Sequence, residues 1–296
     1  MGYGTKMWVD RSLSGGVAGD QARSTASSKL GLAVNEIQED LQAYHVWIIS
    51  GWQDIKMRYK RSAIGPFWIT LSLGIAVAAM GALYARLFHQ KVAEYIPYLS
   101  IGMIVWALIP TLVINWCSIF IQSEGIIKQI RLSFSVYVLR IIMRNLIIFF
   151  HNAVVLIFVY LWFLIAWGWQ VALVPFGLLA IALNAMWIGL GLGTLSVRFR
   201  DIQQIVTSLM QILFFVTGLC GGSSFFKYHM WVAKRNPAYN LMGLVVRPLQ
   251  GCLPSEYSLV FVAVITVLGW GGVALAPFSR FRARTAYCGY RYDGIH

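Results

Sequence analysis

The stretch NLIIFFHNAVVLIFVYLWFLIAWGWQVALVPFGLLAIALNAMWIGLGLGTLSV, residues 145–197, runs for 53 positions without a charged side chain. A single helix of that length would be about 80 Å long. About 20 apolar residues suffice to cross the roughly 30 Å hydrocarbon layer of a membrane. The aromatic turn at 167–170 and Pro175 divide the stretch. It therefore predicts two transmembrane helices.

Uncharged runs on either side extend this prediction to the whole chain. Only 12% of the residues are charged and 58% are hydrophobic, whereas a soluble domain carries about 25% charged residues. Lipid must therefore cover much of the surface. We predict an all-α polytopic membrane protein with a transmembrane domain over 62–280. Its six spans lie at about 62–86, 95–122, 143–167, 171–197, 203–223 and 257–279.

The positive charge of the chain sets its orientation. Lys and Arg number 24 against 11 acids, for a net charge of +13. Eighteen bases fall on the side that holds both termini and six on the other. The richer side is expected to be cytoplasmic, so both termini are expected on the cytoplasmic side of the membrane. The charge is better explained by this topology than by nucleic acid.

Four of the six bases on the external side lie in the loop 224–256, which is too apolar for simple solvent exposure. We predict short external re-entrant helices there, one of which starts at Asn236-Pro237. Proline is favoured at the first helical position because its missing N–H is not needed there.

The chain termini differ from the transmembrane region. Residues 1–35 are rich in Gly, Ser and Ala and predict a flexible cytoplasmic tail, and 281–296 predict a second one. No signal peptide is evident. Residues 36–61 place Tyr44, Ile48 and Trp52 at helical spacing, with acids near the start and bases at the end. This pattern predicts an amphipathic helix in the membrane interface.

Several kinds of chemistry have no sequence signature. The chain lacks a G-x-x-x-x-G-K-[ST] loop for ATP and any metal-binding motif. Its acids avoid the middle of the apolar runs, which argues against a proton-driven carrier or a membrane protease. We interpret His151 and the four cysteines as packing residues, and Gly189, Gly191 and Gly193 as small residues for close helix contact. We therefore expect no catalytic residue, metal or cofactor in this chain.

The stretch DIKMRYKRSAIGPFW, Asp54–Trp68, predicts a bend from an in-plane helix to a spanning one. It resembles the D-I-K-x-R-Y-K-x-S-x-x-G-P-x-W pattern of ABC-2-type permeases, in particular polysaccharide, O-antigen and polyol-phosphate exporters. The segments SEGIIK at 123–128, VRFRDI at 197–202 and Asn236-Pro237 resemble further motifs of that family in the same order. The resemblance covers about 45–280.

The resemblance implies partners and a contact with them. The permease would be a homodimer that binds two copies of a separate ATPase subunit, and ATP and Mg would be bound by that subunit. The segment after the second span would seat in the ATPase as a coupling element, with a solvated loop as the alternative. The coupling residues would be Ser123, Glu124, Gly125, Lys128, Gln129 and Arg131.

Two basic groups have roles by the same analogy. Helix 36–61 would act as a gate. Arg58, Tyr59, Lys60 and Arg61 would receive the pyrophosphate of a lipid-linked glycan, with plain positive-inside anchoring as the alternative. Arg198, Arg200 and Asp201 would order a cytoplasmic loop by an internal ion pair and abut the ATPase, or would serve topology alone.

The resemblance implies export of a lipid-linked polysaccharide, with O-antigen as the first candidate. Capsule, teichoic-acid-like or drug export by the same fold is the alternative. A membrane enzyme acting on lipid-linked sugars is the second alternative, with Asp54, Glu94 and Glu256 as its only candidate acids. Aromatic residues suit a glycan path as well as interface belts. The path candidates are Trp68, Tyr84, Tyr98 and Trp106.

Overall fold

The computed structural model describes residues 44–60, 67–122, 134–217 and 234–275, and its regular elements there are all helical. The all-α class is therefore confirmed for this part of the chain. The α-helices, in chain order, are α1 (Tyr44–Tyr59), α2 (Phe67–Leu87), α3 (Val92–Gln122), α4 (Phe134–Trp162), α5 (Val174–Arg198), α6 (Ile202–Val216), α7 (Pro237–Leu249) and α8 (Glu256–Leu275), with a short 3-10 helix at Trp169–Leu173.

Four helical segments are long and apolar enough to cross a membrane: Phe67–Leu87, Val92–Ile119, Val136–Trp162 and Trp169–Arg198. They overlap the first four predicted spans. The other two predicted spans contain the shorter apolar helices α6 and α8. The 15 residues of α6 reach about 22 Å, short of a full crossing. The ends of those two spans, 218–223 and 276–279, lie outside the described residues.

The predicted break in the long uncharged stretch is confirmed. Helix α4 ends at Trp162, Leu164 has a φ of 53°, and a 3-10 helix precedes α5. Pro175 lies in the first turn of α5, where its missing N–H removes no hydrogen bond.

The predicted bounds of the third span, 143–167, are wrong. The helix runs from Phe134 to Trp162. It includes Arg140 and Arg144, two of the eighteen bases on the side predicted to be cytoplasmic. The Asp54 carboxylate on α1 contacts both guanidinium groups. Their charges are thereby balanced, so α4 can start before the uncharged stretch.

Helix α3 is the centre of the bundle and α2 is its most peripheral span. In the most apolar window of α3, 67% of the residues are buried, against 11% for α2. The core around α3 contains Trp116 and residues of α4, α5 and α7. Most of α2 is consequently left uncovered by the part of the chain that the structure describes.

Among the glycines of α5 predicted to allow close helix contact, Gly189 does so, whereas a Cβ on Gly191 would have no atom within 4 Å among the described residues. A Cβ placed on Gly189 would lie 3.0 Å from the Trp116 ring. One placed on Gly177 would lie 2.6 Å from the Leu244 carbonyl oxygen. The backbones of α5 and α7 thus approach each other directly at Gly177.

Helix α7 confirms the helix start predicted at Asn236-Pro237. Asn236 is the N-cap, and its side chain accepts a hydrogen bond from the Ala238 N–H at 2.9 Å. The helix packs against α3, α5 and α8, and most of its residues are buried. Its apolar composition is therefore explained by burial inside protein.

Candidate functional site

A charged cluster joins α1 to α4. Asp54 Oδ2 accepts a hydrogen bond from Arg140 Nε at 2.7 Å, and Arg140 Nη2 donates to Asp54 Oδ1. Arg144 Nη1 lies 3.8 Å from Asp54 Oδ2. The Asp54 side chain is only 14% exposed. Both carboxylate oxygens thus contact guanidinium groups, a geometry that fixes the relative position of the two helices.

The remaining acids considered for an enzyme lie elsewhere. Glu94 is exposed and lies 3.6 Å from Lys91 in a surface ion pair. Glu256 is exposed in the first turn of α8. Asp54 is the only one of the three in a partly buried cluster, and its partners are both bases. The described residues also contain no group of His, Cys, Asp and Glu that could hold a metal ion.

The predicted lipid-pyrophosphate residues are at the C-terminal end of α1. Arg58 and Tyr59 belong to its last turn. Lys60 follows the helix and is exposed. Arg61 lies outside the described residues, as do all six predicted coupling residues, Ser123, Glu124, Gly125, Lys128, Gln129 and Arg131. The coupling and pyrophosphate roles stay predictions.

The predicted cytoplasmic loop is shorter than expected, because Arg198 is the last residue of α5. Arg198, Arg200 and Asp201 are all exposed. Where the structure describes this connection, no ion pair joins Asp201 to either arginine. The Arg198 guanidinium instead lies 5.5 Å from the centre of the Phe199 ring. The expected internal ion pair is therefore wrong, while three exposed charges remain available to a partner.

Two of the four predicted path aromatics lie in one cluster where α2 ends and α3 begins. Ring centres are 5.9 Å apart for Tyr84 and Phe88, 6.3 Å for Phe88 and Tyr95, and 6.2 Å for Tyr95 and Tyr98. Tyr95 is buried and Tyr84 and Phe88 pack against it, so this cluster is a small core between the two helices, and among its four rings only Tyr98 is exposed.

The other two path aromatics lie apart from this cluster. Trp68 is 58% exposed at the start of α2, 16 positions before Tyr84, which is about 24 Å along the helix. Trp106 is buried and packs against Phe214 at 5.7 Å between ring centres. Within one chain, Trp106 therefore belongs to the core.

Helix α6 carries a polar stripe that is not among the predicted site residues. Gln204, Ser208 and Gln211 are exposed and recur at i, i+4 and i+7, so they share one face. Ile205, Leu209 and Ile212 form an exposed apolar strip directly beside the polar one, and the exposed Phe215 continues the polar stripe at i+4 from Gln211. The sequence signal for this stripe is the helical spacing of two amides and a hydroxyl within an otherwise apolar run.

Comparison with known proteins identifies the family. The family model described as "ABC-2 type transporter" matches residues 45–247, which is more than half of the chain. This chain belongs to the ABC-2 type transporter family. The match begins at the second described residue of α1 and ends within α7, so the charged cluster, the aromatic cluster and the polar stripe of this ABC-2 transporter all lie inside it.

Curated relatives are similar over most of the transporter's length. The O-antigen export system permease protein RfbA of Klebsiella pneumoniae is 23% identical over 243 residues, which cover 79% of this chain and 91% of the relative. The protein of the same name from Myxococcus xanthus is 25% identical over 183 residues, or 60% of this chain and 69% of the relative. As an ABC-2 transporter, the chain is a multi-pass membrane protein, in agreement with its four span-length helices.

Proposed function

We propose that this ABC-2 transporter is the permease subunit of an exporter that moves a lipid-linked polysaccharide, O-antigen in the first instance, across the bacterial inner membrane. Support comes from the family membership and from the two relatives named as O-antigen export permeases. Capsule and teichoic-acid-like polymers share the chemistry of a sugar polymer on a lipid and would be tested in the same assay.

The observation that carries a sugar cargo is the polar stripe of α6. Gln204, Ser208 and Gln211 are exposed on a helix whose other exposed face is apolar. Amide and hydroxyl groups facing hydrocarbon would lack hydrogen-bond partners at a cost of several kcal/mol each. A water-filled path that holds sugar hydroxyls would supply those partners. The apolar face with Ile205, Leu209 and Ile212 would then contact lipid or the second subunit.

We further propose six spans with both termini in the cytoplasm, and a homodimer that binds two copies of an ATPase subunit. ATP and Mg would be bound by that subunit. Segment 123–131 would contact it, with the exposed Arg198, Arg200 and Asp201 beside the contact. The large exposed apolar surface of α2 supports a second subunit or lipid as its cover.

We propose that α1 is the C-terminal part of a gate helix in the cytoplasmic interface. Tyr44, Ile49, Trp52 and Met57 are large exposed residues of α1, beside the exposed polar residues His45, Gln53 and Lys56. Such a mixed surface suits a helix in the membrane interface. The bases at 58–61 would lie at headgroup depth and attract the pyrophosphate of the cargo over a short screened distance.

Reconstitution tests the function. The chain is co-expressed with the candidate ATPase, and the complex is purified into proteoliposomes. A polyprenyl-pyrophosphate-linked oligosaccharide is expected to raise the rate of ATP hydrolysis and to move across the bilayer only with ATP. Hydrolysis by the isolated chain, or a complex that ignores this lipid, would contradict the proposal.

Cysteine labelling tests the path. In a background with Cys117, Cys220, Cys252 and Cys288 replaced by Ser, Ser208→Cys is expected to react with a water-soluble maleimide at least about tenfold faster than Leu209→Cys, because thiolates form in water and not in hydrocarbon. The two exposed positions are adjacent in sequence and lie about 100° apart around α6. Equal reaction rates at the two cysteines would contradict the proposal that the polar stripe lines a water-filled path.

A further inference from the structure

Helices α1 and α4 are in contact through backbone as well as through charge. A Cβ on Gly51 would lie 3.2 Å from the Arg140 carbonyl oxygen and 3.4 Å from the Met143 Cβ. Ile55, one turn along α1, is 5% exposed. Gly51, Asp54 and Ile55 therefore lie on the face of α1 that packs against α4.

The ion pairs add rigidity to this contact. Asp54 is 86 residues away from Arg140 along the chain, and Arg140 binds it through two guanidinium nitrogens. The exposed fractions are 14% for the Asp54 side chain, 22% for that of Arg140 and 14% for that of Arg144. Partial burial weakens solvent screening and strengthens the attraction between such charges. The pair geometry also resists rotation, because a two-point contact fixes orientation.

We propose that Asp54, Arg140 and Arg144 form a rigid joint through which α4 moves α1 during transport. This inference rests on the proposed function, in which segment 123–131 contacts the ATPase and α1 belongs to the gate. Helix α4 follows that segment, and Arg140 lies six positions after Phe134, about 9 Å along the helix. A displacement of the start of α4 is carried through the joint to α1.

The first test neutralises the acid. In the ATPase complex in proteoliposomes, Asp54→Asn is expected to lower export by at least about tenfold, because it leaves two partly buried guanidinium groups without their counter-charge. ATP hydrolysis by the same complex is expected to stay within about twofold of wild type. The control Glu94→Gln neutralises the acid of an exposed ion pair and is expected to export normally. Normal export by Asp54→Asn overturns the joint.

The second test replaces the ion pairs by a covalent bond. The Gly51 and Met143 Cβ positions are 3.4 Å apart, close to the roughly 3.5–4.5 Å of disulfides. Gly51→Cys with Met143→Cys, in the background without native cysteines, is expected to form a disulfide that restores export to Asp54→Asn. Reduction with dithiothreitol is expected to abolish that rescue. A disulfide that blocks export in the presence of Asp54 overturns the joint, because the helices would then have to separate.

A third measurement separates the joint from the cargo. The rate of disulfide formation between Gly51→Cys and Met143→Cys is measured in membranes without any added glycan. It is expected to fall about tenfold when Asp54→Asn is added, since the two helices are then held less firmly. An unchanged rate overturns the joint. A different outcome separates the two proposals: the rate of disulfide formation falls as expected, but the wild-type complex exports no lipid-linked glycan. That outcome supports the joint and overturns the proposed cargo.

Discussion

At the scale of single residues, two glycines of α5 have opposite surroundings. A Cβ on Gly177 would lie 2.6 Å from the Leu244 carbonyl oxygen, whereas one on Gly191 would have no atom within 4 Å. Gly177→Ala is expected to destabilise the protein by about 1–3 kcal/mol, since two backbones must move apart. Gly191→Ala is expected to be neutral or slightly stabilising, because Ala favours helix. Thermal unfolding in detergent measures both, and equal midpoints would contradict the close contact between α5 and α7.

The sequence predicted residues whose role is local and missed those whose role depends on a distant partner. Asn236 as a helix cap and His151 as a packing residue follow from neighbouring positions. The structure agrees: His151 Nδ1 donates to the Ile147 carbonyl at 2.9 Å. Asp54 is predicted only as the first residue of the ABC-2-like motif and as a candidate acid of the enzyme alternative, because nothing near it in the sequence indicates Arg140 as its partner. Long-range pairing is decided by helix packing, which a single sequence does not specify.

At the scale of elements, two helices offer a matched test of N-terminal capping. The Asn236 side chain accepts a hydrogen bond from the Ala238 N–H at 2.9 Å at the start of α7. Asp201, at the start of α6, makes no such side-chain bond. Asn236→Ala is expected to cost about 1 kcal/mol and Asn236→Asp much less, since Asp also caps. Asp201→Ala is expected to change the unfolding midpoint little. A similar loss for both Ala variants would contradict the capping role.

Helix existence was predictable at this scale, and helix ends were not. Uncharged length and the aromatic turn at 167–170 predict α4 and α5 because the cost of burying charge in a membrane is large. The same rule places the start of α4 too late, since Arg140 and Arg144 are tolerated beside Asp54.

At α6, a search for uncharged apolar runs does not distinguish the sides of a helix. It therefore predicts an ordinary transmembrane span, whereas the exposed surface of α6 has a polar stripe beside an apolar one.

At the scale of the whole molecule, the distribution of burial indicates how the chain is surrounded. Helix α3 is enclosed by its neighbours, while α2, α6 and α8 expose many large apolar side chains, among them Ile75, Phe215 and Val267. A soluble monomer rarely exposes such continuous apolar surface. Lipid covers this surface at no loss of hydrophobic free energy. The close packing of the core depends instead on small residues such as Gly177 and Gly189.

The orientation of the whole chain is open to a direct labelling experiment. Lys91 lies in the turn between α2 and α3, and Arg200 lies between α5 and α6; both are exposed. The excess of bases predicts that Arg200 is cytoplasmic and that Lys91 faces outward. In the cysteine-free background, Lys91→Cys is expected to react with a membrane-impermeant maleimide in intact spheroplasts. Arg200→Cys is expected to react only after permeabilisation. The opposite pattern would invert the topology, place the α1–α4 joint on the outer side and separate it from any cytoplasmic ATPase.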